Sequence, residues 1–141
     1  MRPRWTMAIA AAGIVGLALA GCNGVGSAQV DPLDGTSWRL LSLEGGDPLA
    51  GIEITATFEH GSVHGSSGCN SYSASYNVIG NTINIREIQL TLMACVLPEG
   101  AMDQEQRFVS LLGSSDSYEL LDGQLRLLQS DQVLLAFATQ H

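Results

Sequence analysis

From Trp38 onward the chain alternates apolar and polar residues in short runs separated by turn residues. The clearest run is "IEITATFEHG", where Ile52, Ile54, Ala56 and Phe58 alternate with Glu53, Thr55, Thr57 and Glu59. This period of two predicts a strand with one face buried. "SWRLLSLEG" places Trp38 and Leu40 in the same phase, with Leu41 and Leu43 less regular, and stops at Gly45 and Gly46. "SVHGSSG", "NSYSASYNV", "TINIREI" and "QLTLMAC" read as further strands, with Gly80 and Asn81 forming a tight turn between the second and third. One stretch breaks the alternation. "EGAMDQEQRFVSLL", Glu99 to Leu112, spaces Met102, Phe108, Leu111 and Leu112 as one face of a helix, with Pro98 before it and Gly113 after it. "DSYELLDGQLRLLQSDQVLLAFAT" then supplies two or three closing strands, with Asp122 and Gly123 at the sharpest turn. The predicted fold is mostly β (α+β): a small antiparallel sheet or partly closed barrel with one helix packed on it.

The first residues follow different rules. Arg2 and Arg4 precede an apolar run of about 14 residues that ends in "LAGC", Leu19 to Cys22. A charged start, a short apolar stretch and a small-residue cut site describe an export signal; a membrane span needs roughly 20 apolar residues. "LAGC" resembles the lipobox of bacterial lipoproteins, in which the cysteine is acylated and becomes the first mature residue. Cys22 is therefore the expected lipidation site and residues 1–21 the expected signal peptide. Residues 22–32, the lipidated cysteine followed by "NGVGSAQVDP", are expected to be a flexible tether, and ten such residues reach roughly 17 Å. The folded domain is expected over residues 33–139. A single acyl chain binds membranes marginally, so stable anchoring needs two or three.

Composition narrows the partners. The 141-residue chain is 45% hydrophobic, enough for one compact domain. Beyond residue 21 it keeps four arginines and no lysine against fourteen carboxylates, a formal charge of −10. Such a surface repels phosphate backbones and anionic headgroups, which excludes nucleic-acid binding and electrostatic membrane docking. The lipid at Cys22 is then the link to the membrane, either the cell membrane or an outer membrane, with the domain facing periplasm or exterior.

Cys69 and Cys95 remain as an even pair in a compartment that permits disulfides. A bridge between them would stabilise the fold by about 3.5 kcal/mol in the chain-entropy model. It would also account for the small residues of "GSSGCNSY", Gly65 to Tyr72, since a second sulfur must approach closely. Two free thiols, or a redox-active or metal-binding pair, are the alternatives; thiol oxidoreductases usually carry CxxC at a helix start, and neither cysteine has such a neighbour.

Catalytic and metal motifs are sparse. His60 and His64 have an H-x3-H spacing, but a turn at Gly61 removes the common face a helix would give them, so a metal pair with Glu53 or Glu59 is not expected. "GSSG" is not a nucleophile elbow, and past residue 21 no lysine is present for a Schiff base or phosphate clamp. Glu87 and Glu119 read as solvated surface. No catalytic residue, cofactor or metal is expected, and the chain is read as a non-enzyme.

"GTSWRL", "GSSGCNSYSASY", "TLMAC", "EQRF" and "YELLDGQLRLL...LLAF" occur in an order and spacing that resemble the META domain family, HslJ-like bacterial lipoproteins among them. The match covers about residues 33 to 138. It departs at the last hairpin, where Asp131 and Gln132 stand in the region of a frequent glycine. The resemblance implies a compact β-rich fold with one helix, often lipid-anchored, with an interaction or maintenance role in the envelope under stress and no established reaction. Asn70, Thr91 and Met93 lie in the matching motifs and are the candidate interaction surface, with an envelope protein as expected partner; the alternative is a module that inhibits or assists another exported protein, its acidic surface complementing a basic partner. The structural account of the same residues gives Asn70 a left-handed turn, Thr91 an outward position or a hydrogen bond to a neighbouring strand, and Met93 a place in the core.

Overall fold

A computed structural model describes residues 28–140. Eight strands follow one another around a closed antiparallel ring: β1 (Thr36–Leu43), β2 (Thr55–Glu59), β3 (Ser62–Ser66), β4 (Ser71–Ile79), β5 (Thr82–Leu90), β6 (Ser117–Leu121), β7 (Gln124–Gln129) and β8 (Gln132–Thr139). Helix α1 (Ala101–Ser114) lies between β5 and β6. The ring closes where β8 pairs with β1, from Trp38↔Thr139 to Leu43↔Leu135. It is uneven, because β5 and β6 share the single register pair Thr82↔Ser117. Among the described residues no helix is long and apolar enough to cross a membrane.

The alternation in the sequence becomes the inside and outside of this ring. Ala56, Phe58, Tyr72, Ala74, Tyr76, Val78, Ile83 and Ile85 are buried, and their polar neighbours face out. Where the spacing slips, the strand bulges. Opposite Ser73 and Ser75, β5 inserts one extra residue, and Glu87 there adopts φ 56°. The extra residue changes the phase, so Ile88 and Leu90 still pack against the core that Ile83 and Ile85 fill. A second irregularity between Leu40 and Ser42 leaves Leu41 half out of the core. The last hairpin turns without glycine, through Ser130 and Asp131 at φ 49° and 67°.

Side chains fill the interior. Phe58, Phe137, Leu125, Leu127 and Leu135 are fully buried, as expected of an eight-stranded ring just wide enough for its own side chains. Leu33 closes the end at Thr36 and Glu59, and the Gly35 amide donates to the Phe58 carbonyl there. Gln29 and Asp31, within the segment expected to be a tether, are already engaged: the Gln29 amide donates to Val78 O, and Tyr76 Oη donates to Asp31 at 2.6 Å.

Helix α1 closes the other end. It begins at Gly100, whose φ of 87° needs a residue without a β carbon. Ala101, Glu105, Phe108, Leu111 and Leu112 form its buried face. Phe108 meets Tyr72 edge to face, with ring centroids 5.4 Å apart. Met102, expected on this face, is only partly buried; Glu105 holds the inward position instead. The strand predicted over "QLTLMAC" ends at Leu90, and Thr91 to Pro98 form an irregular loop into the helix.

Phe108 joins the helix to the ring, so Phe108→Ala is expected to lower the unfolding free energy by about 3–5 kcal/mol through lost burial and the cavity left behind. Urea denaturation followed by circular dichroism measures this; a loss below about 1 kcal/mol would show that the helix is not part of the cooperative core.

Candidate functional site at the disulfide-bridged end

Three segments meet where α1 covers the ring: Ser66–Asn70 after β3, Thr91–Cys95 after β5, and the second turn of the helix. Cys69 and Cys95 are bridged, with their α carbons 5.8 Å apart. Gly65 stands in β3 because a β carbon there would collide with the Thr55 carbonyl. Gly68 takes the positive φ, 114°, that was expected of Asn70. The small residues of "GSSGCN" thus serve a close strand approach, a tight turn and a disulfide.

Asn70 is released from the turn to do something else. Its side-chain Nδ2 donates to Glu105 Oε1 at 2.7 Å and to Met93 O at 3.1 Å. Its Oδ1 accepts from Met93 N at 2.7 Å and from Thr91 Oγ1 at 2.9 Å. All four hydrogen-bonding positions of the amide are used. Glu105 is 3% exposed. Its Oε2 accepts from Ser67 Oγ at 2.6 Å and from the Asn70 backbone N–H at 2.7 Å. Burial alone pushes the Glu105 carboxyl up. The bonds from Ser67, from the Asn70 side chain and from the Asn70 and Cys69 backbone outweigh it and hold the pKa below its ordinary value.

The sequence singled out Asn70, Thr91, Met93 and the two cysteines, and the structure brings all five together. Their roles differ from those expected. Asn70 is a buried hub. Thr91 donates to it and also accepts from Ser71 N at 3.1 Å. Met93 is 62% exposed and does not fill the core; Asn70 holds its backbone while its side chain points out. Around it Leu92, Val96 and Leu97 are 100%, 83% and 80% exposed. Glu105 was missed as a site residue, although its signal was available: an acid in line with Ala101, Phe108 and Leu112 on an otherwise apolar helix face.

The remaining candidates lie elsewhere. His60 sits in the β2–β3 turn at φ 50°, with Glu59 3.7 Å from its ring, and His64 is exposed on β3. Among the described residues no group of three or more His, Cys, Asp or Glu side chains is placed to hold a metal. Cys22 and the lipobox fall outside the described residues.

A carboxylate whose pKa is depressed on folding stabilises the domain above its unfolded value of about 4.3, and that contribution is lost as the pH falls through the lower folded value. Glu105→Gln places an amide donor against Ser67 and Asn70. It is expected to cost about 1.5–3 kcal/mol near pH 7, with the gap to the wild type narrowing as the pH falls below the unfolded value of about 4.3. Urea midpoints across that range test this, and a gap independent of pH would show that the charge of Glu105 contributes nothing.

Comparison with known structures agrees with the fold. A protein from Burkholderia xenovorans, solved by NMR, is 27% identical with TM-score 0.62, over 77% of this chain and 83% of its own. A second NMR structure is 19% identical with TM-score 0.60, over 75% of this chain and 90% of its own. The crystal structure of a DUF4847 family protein from Bacteroides vulgatus is 15% identical with TM-score 0.57, over 76% and 94%. A search of curated proteins finds no match to this chain. The META domain profile matches residues 31–141, which takes in the cysteine pair, Asn70 and Glu105 alike, and the chain therefore belongs to the META domain family.

Proposed function

We propose that this protein is an exported, lipid-anchored and non-catalytic binding module of the cell envelope, with a role in envelope maintenance. One observation carries the binding role: the polar side chains gathered at the disulfide-bridged end spend their hydrogen bonds on each other and on the Thr91–Pro98 loop, which displays Leu92, Met93, Val96 and Leu97 outward. A catalytic centre leaves reactive atoms free to meet a substrate. Here Asn70 and Glu105 are satisfied and buried, and large apolar side chains face solvent, the pattern of a surface that another molecule covers.

Anchoring at Cys22 supports this use of the loop. Gln29 is bonded at Val78, near the end of β4, whereas the loop flanks Ser71 at the strand's start. Seven residue steps along β4 separate the two, roughly 23 Å. A lipid attached through Cys22 leaves the loop on the side away from the entry of the tether, facing the compartment.

Cys22→Ser is expected to abolish incorporation of a clickable fatty acid and to move the protein from the membrane fraction to the soluble exported fraction. Membrane retention without label would show that something other than acylation anchors the chain.

A further inference from the structure

The loop at the disulfide-bridged end has a more specific chemistry than apolar exposure. Leu92 is wholly exposed and takes part in none of the hydrogen bonds among the described residues, while both of its neighbours are fastened. On its N-terminal side, Thr91 N donates to Ser71 O at 3.0 Å and Thr91 Oγ1 donates to Asn70. On its C-terminal side, Met93 is held at both backbone atoms by the same Asn70 amide, and two residues later Cys95 is bridged to Cys69. No residue from Leu90 to Pro98 has positive φ. One apolar side chain is thus offered outward between two clamped backbone segments.

We propose that Thr91–Cys95 is a substrate-like inhibitory loop for a serine endopeptidase with a hydrophobic primary specificity pocket, that Leu92 fills the pocket, and that Leu92–Met93 is the bond presented to the catalytic serine. The inference rests on the non-catalytic binding role above and names its partner. A preorganised loop binds tightly because little ordering is left to be done, and protease–inhibitor complexes are among the tightest of standard-size interfaces.

Asn70 explains why the loop would inhibit and not merely be cut. The enzyme's serine oxygen adds to the Leu92 carbonyl carbon and the C–N bond to Met93 breaks, the serine proton passing through the enzyme's histidine to Met93 N. The new amine stays beside Asn70 Oδ1, which already lies 2.7 Å from that nitrogen, and Cys95 stays tied to Cys69. On the acyl side, Thr91 is held by that same asparagine. The retained amine attacks the acyl carbonyl, re-forms the peptide bond and returns the proton to the serine, so the cycle has no net change.

Two other occupants fit less well. A bilayer anchored through Cys22, as proposed above, would lie toward Gln29, which bonds Val78 at the opposite end of β4 from the loop. A second copy would set one convex loop against another and bring together two chains that each carry a formal charge of −10 beyond residue 21.

The test uses the purified full-length protein with its disulfide formed, titrated against chymotrypsin, pancreatic elastase, subtilisin and trypsin. Stoichiometric inhibition is expected for at least one of the first three, with slow scission confined to Leu92–Met93 by mass spectrometry. Leu92→Asp is expected to weaken it by on the order of 100-fold. Leu92→Arg should transfer inhibition to trypsin, a gain that misfolding cannot produce, and Asn70→Ala should convert the loop into a rapidly cleaved substrate. Rapid turnover of the wild-type loop with no lasting complex would overturn the proposal. So would the absence of inhibition of all four enzymes together with no gain against trypsin in Leu92→Arg. Neither result bears on anchoring or envelope binding, which the Cys22→Ser fractionation and crosslinking in the intact envelope report separately.

Discussion

The bond between Asn70 and Glu105 joins the helix to the ring and the ring to the exposed loop. A carboxylate buried at the helix–barrel junction is tolerable only while hydrogen-bond donors surround it, and Ser67 and Asn70 supply them. Once the Asn70 amide faces Glu105, its other positions point at Met93 and Thr91. A single side chain therefore fixes both how the helix seats on the barrel and how the loop leaves β5. The disulfide works beside this hub as a covalent restraint on the same two segments. The two restraints overlap, since Asn70 holds Thr91 and Met93 while the bridge fixes Cys95.

The strands were legible because their physics is local. Alternation in "TATFE" and "SYSASYNVI" specifies which face is buried, and glycine marks every hairpin but the last, which turns through Ser130 and Asp131. Closure of the ring was less legible, since the pairing of β1 with β8 joins residues about a hundred positions apart, and periodicity carries no information about such partners. The helix was placed within two residues of its position. Its apolar stripe was read through Met102, and the acid between Ala101 and Phe108 was passed over because carboxylates are usually exposed.

The largest misreading was the segment after Leu90. "TLMAC" has strand-like composition, yet after Thr91 N, which still donates to Ser71 O, the Met93 backbone bonds with the Asn70 side chain and not with a neighbouring strand. A side chain more than twenty positions upstream decides that, and single-residue propensities cannot register it. The motifs of the resemblance pointed to Asn70, Thr91 and Met93, which the structure couples through the one Asn70 amide. They did not reveal that Met93 joins the hub through its backbone, with its side chain exposed.

The pairing of β1 with both β2 and β8 also governs the order of assembly. During synthesis β1 is among the first strands available and β8 the last, so one edge of β1 stays bare until nearly the whole domain has been made. Any earlier collapse leaves unpaired backbone and an open apolar interior, a state prone to join strands with a second molecule. For the exported protein proposed above, such a topology would keep the chain competent to cross a membrane, because the ring cannot close before its C-terminal strand arrives.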